Sequence, residues 1–451
     1  MTASYSGRSI LVAGAGVAGG AVTEVLLRLG ARVTVTDRVL SARTEALSAL
    51  GASVAVALTD VPAGIDEVVT SPGWRPDHPL LQDAAARGVE VIGEVELAWR
   101  LRPSPAAAWL AVTGTNGKTT TVEMLADILR TAGLRAVAVG NVGRPLVQAV
   151  VDRDPYDVLA VELSSFQLHW SSTLAPAAAA ILNIAPDHLD WHGSMQAYAA
   201  AKAKILGPGT FYAHNADDNS SGPLSGDRPG AAFTLSEPAA GQLGVVDGAL
   251  VDRAFGHGQF AAVADLAVTG PHNVANALAA AALAFAHGVA PGAVAAGLAA
   301  FRSGPHRNAR VGVLDGVTYV DDSKATNPHA AEASLAGYDR VVWIAGGLLK
   351  GAEVDRLVEF SRGRLAGVVL LGADRATFAR ALARHASQVP VVEVARTDDG
   401  AMSDVVAAAT RLARAGDTVL LAPAAASMDM FDDYAARGRA FVAAVRALGV
   451  T

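Results

Sequence analysis

Residues 109–120 read WLAVTGTNGKTT and join an apolar stretch to a helical one through a glycine-rich turn. A strand, a glycine-rich turn and a helix form the arrangement in which backbone N–H groups surround phosphate oxygens. Lys118 would neutralise the β- and γ-phosphates, and the Thr119 hydroxyl would ligate Mg²⁺. The common phosphate-loop pattern has a further glycine where this chain has Val112. Turn chemistry alone explains the shortened motif poorly, so we predict a phosphate-binding loop.

A carboxylate follows in the next apolar run. Residues 158–168, VLAVELSSFQL, are predicted to form a strand with Glu162 and two serines at its carboxyl end. An isolated Glu162 would be interpreted as an exposed strand terminus. Ligands of open α/β sheets bind at the carboxyl ends of the strands, and Mg²⁺ prefers oxygen ligands. Beside a phosphate loop, Glu162 is therefore a candidate Mg²⁺ ligand.

Titratable side chains are also concentrated in the loop NIAPDHLDWHG, residues 183–193, after the predicted strand Ala179–Leu182. A lone histidine is usually a structural residue, but this loop contains a cluster and is therefore a candidate metal site. Lys202 lies on the next helical stretch, Met195–Leu206, where a solvated helix face is the alternative interpretation. The titratable residues of the loop are Asp187, His188, Asp190 and His192.

A second glycine-rich motif opens the chain. The sequence GAGVAG, residues 14–19, follows an apolar run, and Asp37 ends the next predicted strand. Glycines there let the backbone approach a diphosphate, and an acidic residue at the end of the second strand can accept a hydrogen bond from a ribose hydroxyl. The pattern indicates dinucleotide binding, with a plain strand–helix turn as the alternative. Its glycines, Glu24 and Arg28 interrupt the apolar run, which argues against a signal peptide.

Composition limits the class of protein. The chain has 451 residues, of which 51% are hydrophobic and 18% charged, as expected of a globular protein with several domains. The absence of cysteine excludes disulfides, zinc–thiolate sites and thiol catalysis. A net charge of −7 argues against nucleic acid as the main partner. The apolar stretches are interrupted too often to span a membrane, so we expect a soluble cytoplasmic protein.

Short β-type runs alternate with helical stretches, which predicts an α/β protein whose parallel sheets are covered by helices. Prolines in RLRPSPAAAW, residues 100–109, disfavour a helix and indicate one boundary, and Ser303-Gly304-Pro305 indicates another. We predict three domains: a Rossmann-like domain at 1–102, a central P-loop ATPase-type α/β domain at 103–304, and a Rossmann-like α/β domain at 305–451. Residues 217–253 are predicted to be loops and short strands within the central domain.

The order of these motifs resembles that of the Mur ligase family along the whole chain. The resemblance implies an ATP-dependent amide ligase that adds D-glutamate to UDP-N-acetylmuramoyl-L-alanine through an acyl phosphate, in peptidoglycan precursor synthesis. It further implies ATP, two Mg²⁺ ions and a monomer without nucleic-acid or membrane partners. The resembling segments are GTNGKTT (114–120), ELSSFQL (162–168), NIAPDHLDWHGSMQAYAAAKAKIL (183–206), PHNVANALAA (271–280), GPHRNARV (304–311), VDDSKATNP (320–328) and PAAASMDMFDDYAARGRAF (423–441).

The resemblance implies roles for individual residues. The first domain would bind the UDP part of a nucleotide sugar rather than NAD, through Val17, Ala18, Asp37, Arg38, Ser71, Pro72 and Gly73. ATP would contact Gly114, Thr115, Asn116, Gly117, Lys118, Thr119, Thr120, Asn273, Asn276, Arg307 and Asp322. The catalytic residues would be Lys118, Glu162, His188 and Lys202, and the metal ligands Thr119, Glu162, His188 and a carbamylated Lys202. The other substrate groups would contact Asn141, Lys324, Thr326, Lys350, Ser427 and Tyr434.

The chain departs from the family pattern at two places near the implied amino-acid site. Tyr434 stands where phenylalanine is expected, which is a small change. The stretch GGLLKG, residues 346–351, carries Leu348 and Leu349 where relatives often have small or acidic residues. The second departure affects the surroundings of Lys350.

Three alternatives remain open at this point. Another Mur ligase would add alanine, a diamino acid or a dipeptide, although DDSKATN (321–327) argues against it. A dinucleotide-dependent oxidoreductase with a fused P-loop domain would explain GAGVAG and Asp37. A nucleotide-binding switch would need only ATP and would leave Glu162, His188 and Lys202 without a role.

Overall fold

The computed structural model describes residues 4–224, 228–268, 270–302, 304–398 and 400–449. Three α/β sheets with their helices are present in this part of the chain, as the alternating pattern predicted. One compact unit comprises Met1–Ile184, Trp191–Ala267 and Asn273–Phe301, and the other Ala185–Asp190, Val268–His272 and Arg302–Thr451. The domain boundaries at 102/103 and 304/305 stay predictions, and Ser303 lies outside the described residues. Every helix within the described ranges is too short or too polar to span a membrane.

The N-terminal domain is a parallel sheet with helices between its strands. Its elements are β1 (Ser9–Ala13), α1 (Val17–Arg28), β2 (Arg32–Thr36), α2 (Ala42–Ala49), β3 (Ser53–Val54), β4 (Glu67–Thr70), α3 (Pro79–Ala86), β5 (Glu90–Gly93) and α4 (Glu94–Arg100). The strand order is β3-β2-β1-β4-β5. The direction of winding reverses between β1 and β4, and the carboxyl ends of such a strand pair form the ligand crevice of an open α/β sheet.

The central domain contains the phosphate-loop sequence between a strand and a helix. Its elements are β6 (Ala108–Thr113), α5 (Lys118–Thr131), β7 (Ala136–Gly140), α6 (Leu146–Val150), β8 (Val158–Glu162), α7 (Ser165–His169), β9 (Ala178–Ile181), α8 (Leu189–His192), α9 (Met195–Ala203), β10 (Phe211–Asn215), β11 (Gly230–Phe233), β12 (Gln242–Val246), β13 (Ala249–Asp252), β14 (Gly258–Ala262), α10 (Pro271–Ala286) and α11 (Pro291–Ala300). The strand order is β14-β13-β12-β11-β10-β9-β6-β8-β7. The predicted short strands within residues 217–253 are confirmed by β11, β12 and β13.

The prediction of one strand over residues 158–168 is wrong. Strand β8 ends at Glu162, and helix α7 begins at Ser165. The Ser164 side chain accepts a hydrogen bond from the Gln167 N–H, and the Gln167 side chain accepts one from the Ser164 N–H. This reciprocal pair is a capping box, and the sequence SSFQ contains its signature. The chain therefore turns into a helix directly after Glu162, which lies at the carboxyl end of the strand.

The C-terminal domain is a mixed sheet in which the last strand is inserted at the centre. Its elements are β15 (Ala309–Leu314), β16 (Val317–Asp321), α12 (Pro328–Leu335), β17 (Val341–Gly346), α13 (Asp355–Ser361), β18 (Leu365–Leu371), α14 (Arg375–His385), β19 (Val391–Glu393), α15 (Ala401–Leu412), β20 (Thr418–Leu421) and α16 (Tyr434–Arg446). The strand order is β15-β16-β20-β17-β18-β19, and β15 is antiparallel to its neighbour. Because β20 pairs in parallel with β16 and β17, the carboxyl ends of these three strands are adjacent.

Helix α4 joins the first two sheets through buried carboxylates. Glu94 accepts a hydrogen bond of 2.7 Å from the Val147 N–H at the start of α6. Glu96 accepts hydrogen bonds from the N–H groups of Ser172 and Thr173 and from the Thr173 hydroxyl. Burial raises the pKa of Glu94 to about 7. Burial also acts to raise the pKa of Glu96, but its hydrogen bonds lower it overall.

Replacing Glu94 by glutamine should change how stability depends on pH. The folded state favours protonated Glu94, so the free energy of unfolding of the wild type should fall as the pH rises from about 4.5 through 7. Glu94→Gln removes this loss, and between pH 5 and pH 8 its stability should rise relative to wild type by up to about 3 kcal/mol. Urea unfolding at the two pH values measures the difference.

The neighbouring variant Glu96→Gln is the matched control for this prediction. Ionised Glu96 is stabilised in the folded state, so this variant should be less stable than wild type at pH 8. Equal pH dependence of wild type and Glu94→Gln would contradict the assignment to Glu94.

Candidate active site

The phosphate loop is formed by residues 114–117 between β6 and α5. Gly117 has φ +84° and precedes the first residue of α5, and Gly114 has φ +157°. A Cβ atom on Gly117 would lie 2.4 Å from Oδ1 of Asn276, so a side chain would clash there as well as strain the backbone. Helix α5 presents its amino end, where unpaired N–H groups attract anions, at the end of the loop.

Two lysines converge on one carbonyl oxygen of this loop. Lys118 Nζ donates to the carbonyl oxygens of Gly114 and Thr115, both at 2.8 Å. Lys202 Nζ, from α9, donates to the Gly114 carbonyl oxygen at 2.8 Å. The Lys202 residue is 1% exposed, which excludes the interpretation as a solvated helix face. The two ammonium groups at one carbonyl oxygen repel each other, and both would attract an anionic ligand placed beside them.

Tyr198 connects α9 to the loop. Its hydroxyl lies 3.1 Å from the Thr115 hydroxyl, and its ring centroid lies 4.5 Å from Lys202 Nζ. The His192 ring packs against Tyr198, and His192 Nε2 lies 2.9 Å from the Ser165 hydroxyl. The contact of Tyr198 with the loop and the contacts of His192 with Tyr198 and Ser165 were not predicted from the sequence, because only the fold brings α7, α8 and α9 together.

Glu162 lies one strand from the loop and is 2% exposed. Its Oε1 accepts a hydrogen bond of 2.9 Å from the Asn141 side chain, which follows β7. Its Oε2 is buried and has no hydrogen-bond partner among the described residues. A buried carboxylate oxygen without a donor is costly unless a cation occupies its free side. The residue therefore fits a hard cation such as Mg²⁺.

The acidic and histidine-rich loop does not form the metal cluster that its sequence suggested. The structure holds no group of three or more His, Cys, Asp or Glu side chains suited to a metal ion in the ranges that it describes. His188 has φ +54°, and its N–H donates to Asp187 Oδ1 at 2.9 Å. Helix α8 begins at the next residue, and its His192 instead contacts Ser165. Residues 185–190 belong to the second compact unit, whereas Glu162 and Lys202 belong to the first.

Asparagines contact the loop and the helix that follows it. Asn183, after β9, accepts a hydrogen bond of 2.8 Å from the Asn116 N–H and donates one of 3.2 Å to the Asn116 carbonyl. Asn276 accepts from the Thr121 hydroxyl at 3.3 Å and donates to Asn273 at 3.4 Å. Asn273 and Asn276 were predicted as ATP contacts, whereas Asn183 was missed. Its position directly after the predicted strand Ala179–Leu182 was the available signal.

The glycine-rich turn of the N-terminal domain is held by Asp37. One carboxylate oxygen accepts from the Ala15 N–H at 2.8 Å, and the other accepts from the Arg38 N–H at 2.7 Å. Ser71, after β4, donates to the Gly14 carbonyl at 3.4 Å. The structure therefore brings Ser71, with Pro72 and Gly73 after it, to the turn that precedes Val17 and Ala18. Val17 is 73% exposed and Arg38 is also exposed, so both are accessible to a ligand.

The predicted amino-acid contacts lie on the loops after β16, β17 and β20 and, for Tyr434, at the start of α16. Lys324 Nζ lies 4.2 Å from the centroid of the Tyr434 ring, and the Thr326 N–H donates to the Lys324 carbonyl at 2.8 Å. Ser427 follows β20 and is buried, and Lys350 follows β17 and is exposed. The Ala424 N–H donates to the Ala325 carbonyl at 2.9 Å, which joins the first and last of these loops.

A buried arginine that was not predicted fixes these strand ends. Arg437, on α16, is 1% exposed and lies among backbone carbonyls. Its guanidinium donates to the carbonyls of Ser323 and Ala425 and, at 3.5 Å, to that of Gly346. Burial lowers its pKa to about 10, so the group stays charged at neutral pH. Its only signal in the sequence was its place in the segment AARGRAF.

The segment expected to reach ATP contains a second buried polar group. His306 Nδ1 lies 2.6 Å from Asp321 Oδ2, and both residues are buried. Asp322 accepts from the Asn308 N–H at 3.1 Å, and burial raises its pKa to about 6. Arg307 lies between His306 and Asn308 in the chain, so the two neighbours fix the backbone that carries its guanidinium.

Truncation of Asn183 should weaken binding of a nucleoside triphosphate. Asn183→Ala removes both side-chain hydrogen bonds that hold the Asn116 backbone, so the KM for ATP should rise by about tenfold. Steady-state kinetics at saturating concentrations of the other substrates measures the change. Asn183→Asp keeps an acceptor for the Asn116 N–H and should show a smaller rise, and an unchanged KM in Asn183→Ala would remove the assigned support role.

Comparison with known proteins gives a consistent result along the chain. The family descriptions that match are "Mur ligase MurD-like, N-terminal domain" at residues 8–93, "Mur ligase middle domain" at 112–284 and "Mur ligase, glutamate ligase domain" at 306–425. The UDP-N-acetylmuramoylalanine--D-glutamate ligase of Thermobifida fusca is 60% identical over 98% of this chain and 99% of that protein. The enzyme of the same name from Streptomyces avermitilis is 56% identical over 99% of each chain.

Solved structures share the fold at lower identity. The UDP-N-acetylmuramate-alanine ligase MurC of Thermotoga maritima superposes with a TM-score of 0.62 at 20% identity, over 98% of this chain and 99% of that one. A pseudomurein peptide ligase type C from Methanothermus fervidus has a TM-score of 0.59 at 19% identity, over 98% and 100% of the two chains. The three domain matches and the relatives above 50% identity place the chain in the Mur ligase family.

Proposed function

We propose that this chain is an ATP-dependent ligase that joins D-glutamate to UDP-N-acetylmuramoyl-L-alanine in peptidoglycan precursor synthesis. The observation that carries the proposal is the convergence of Lys118 and Lys202 on the Gly114 carbonyl, one strand from the unpartnered oxygen of Glu162. Such a site suits the transfer of a phosphoryl group. The choice among ligases of this family rests on the names of the relatives that match the whole chain.

The reaction requires activation of a carboxylate, which is by itself a poor acyl donor. The carboxylate oxygen of the alanyl group attacks the γ-phosphorus of ATP, ADP leaves, and an acyl phosphate forms. The amine of glutamate then attacks the acyl carbon, and the tetrahedral intermediate releases phosphate, with loss of a proton from nitrogen. Lys118 stabilises charge on the phosphates, and Arg307 supplies a second cation.

The site residues fit a bound divalent cation. Thr119, Glu162, His188 and, once carbamylated, Lys202 would hold two Mg²⁺ ions. The oxygens of Thr119 and Glu162 are hard ligands, and the unpartnered oxygen of Glu162 is the observation that supports this assignment. When bound, the ions neutralise the negative charge that accumulates between the phosphates and the substrate carboxylate. His188 is included because of its family motif and could also orient the incoming amine.

Carbamylation would remove the positive charge of Lys202. The neutral amine attacks CO₂, a C–N bond forms, one proton is released, and the side chain becomes an anion. The ammonium form lies buried beside the Lys118 ammonium, with which it shares the Gly114 carbonyl oxygen. Conversion to a carbamate replaces this repulsion by attraction to Lys118 and to Mg²⁺. The burial of Lys202 therefore supports a modified residue.

Truncation of Lys202 should be reversible by an added carboxylate. Lys202→Ala should lose most activity because the carbamate oxygens are missing, and a short-chain carboxylate in solution should restore part of it. Phosphate release with and without added acetate or propionate measures the effect. Lys204→Ala, on the same segment but exposed, is the matched control and should be neither impaired nor stimulated. Full activity of Lys202→Ala, or indifference to the additive, would contradict the proposal.

The first domain would bind the nucleotide part of UDP-N-acetylmuramoyl-L-alanine, and the third domain would bind glutamate. Ser71, Pro72, Gly73, Val17, Ala18, Asp37 and Arg38 would contact the uridine diphosphate, and Asn141 the muramoyl end. Glutamate carries two carboxylates, and Lys324, Lys350, Thr326 and Ser427 offer two cations and two hydroxyls for them. Tyr434 would orient Lys324 from 4.2 Å. We further propose that the enzyme acts as a monomer in the cytoplasm.

An amino-acid panel tests the substrate assignment. Phosphate release should require ATP, UDP-N-acetylmuramoyl-L-alanine and an amino acid together, and D-glutamate should be the best acceptor. Lys324→Ala and Ser427→Ala should raise the KM for D-glutamate much more than the KM for ATP, since charge-assisted bonds contribute about 1.5–3 kcal/mol each. Phosphate release with ATP alone would favour a nucleotide switch, and a preference for L-alanine or a diamino acid would assign another Mur ligase.

Lys118→Ala is the internal control for the same assay. It should abolish phosphate release with every amino acid, while its thermal unfolding stays close to that of the wild type. Turnover near the wild-type rate would remove the phosphate-loop assignment altogether.

A further inference from the structure

The two leucines that depart from the family pattern, Leu348 and Leu349, directly precede a residue with an unusual backbone conformation. Lys350 has φ +52°, which is the left-handed region that residues with a side chain seldom adopt. Such a conformation costs free energy and persists where the surrounding structure fixes it. The side chain of Lys350 is exposed, and no hydrogen bond or ion pair joins it to the described residues. The ammonium group is therefore available to a ligand.

The first attachment of this loop is made by Leu348. Its N–H donates to the Ala426 carbonyl at 2.8 Å, and its carbonyl accepts from the Ala426 N–H at 2.9 Å. Ala426 immediately precedes Ser427 in the chain. The paired hydrogen bonds therefore fix the distance between the loop that carries Lys350 and the loop that carries Ser427.

The second attachment is made by Leu349, the residue before Lys350. Its side chain is 7% exposed and packs in the hydrophobic cluster that includes Val354 and Leu357. Its N–H donates to Asp374 Oδ2 at 2.8 Å, and its carbonyl accepts from the Ala352 N–H at 3.0 Å. The residue is held through its side chain and both backbone groups, which leaves Lys350 little freedom to leave the left-handed conformation.

We propose that Leu349 is a positioning residue that, together with the Leu348–Ala426 pairing, holds Lys350 ready for a carboxylate of the amino-acid substrate. A small or acidic residue at this place would have no large apolar side chain to insert into the hydrophobic cluster. In this chain the backbone that carries Lys350 is fixed next to the loop that carries Ser427, so less backbone conformational entropy is lost when a carboxylate binds. The inference rests on the proposed function, because it concerns the glutamate site.

The test is the effect of Leu349→Ala on the KM for D-glutamate. Loss of the buried side chain should free the Lys350 backbone and raise this KM by about tenfold, with kcat at saturating D-glutamate and the KM for ATP within about twofold of wild type. Leu349→Met keeps the volume and should behave like wild type. Asp374→Ala removes the acceptor of the Leu349 N–H without touching the hydrophobic cluster and should raise the KM by about threefold.

A double mutant separates positioning from general destabilisation. Leu349 acts through Lys350, so Leu349→Ala/Lys350→Ala should have the same KM for D-glutamate as Lys350→Ala alone. Leu357→Ala is the matched control, because it truncates a leucine of the same cluster on α13 and should leave the KM unchanged. An equal rise in Leu357→Ala, or a further rise in the double mutant, would overturn the proposal.

These measurements distinguish failure of the inference about Leu349 from failure of the proposed function. A wild-type enzyme that does not use glutamate refutes the substrate assignment. If the wild type uses D-glutamate and Lys350→Ala raises its KM, but Leu349→Ala and Asp374→Ala do not, only the inference about Leu349 fails.

Discussion

The Gly114 carbonyl oxygen accepts hydrogen bonds from two lysine ammonium groups, and the chemistry proposed for the central domain depends on this contact. Lys118 comes from the first turn of the phosphate-loop helix and Lys202 from a helix 84 positions later in the chain. Two like charges at one oxygen repel, so the arrangement is most favourable with an anion beside it. A triphosphate and a carbamate on Lys202 are both anions of this kind, and the proposed function uses both.

Each of the three candidate binding regions lies at the carboxyl ends of neighbouring parallel strands. Asp37 and Ser71 meet at the carboxyl ends of β2 and β4 beside the turn that ends β1. Glu162 lies at the end of β8 next to β6, and the loops that carry Lys324, Lys350 and Ser427 follow three adjacent strands. Parallel strands place all their carboxyl ends at one edge of a sheet, so residues distant in sequence become neighbours there.

Buried polar groups keep these edges rigid. Arg437 donates to backbone carbonyls at the ends of three strands, and its guanidinium remains charged despite a lowered pKa. Glu94 and Glu96 likewise connect the first two sheets, because their carboxylates accept hydrogen bonds from backbone N–H groups. Breaking one partner of such a buried contact leaves an uncompensated polar group, which costs more than the contact contributes when intact.

The sequence by itself determined the α/β class, the phosphate loop and the family, because local patterns of glycine, apolar residues and Lys118 specify them. The prediction of one strand over residues 158–168 missed the capped helix, although SSFQ contains the capping signature, because apolar residues lie on both sides of the boundary. The burial of Lys202, the support of the loop by Asn183, and the contacts of Arg437 and Leu349 were decided by the tertiary structure. Each depends on strand order, which brings together segments far apart in the chain, and no local pattern encodes that order.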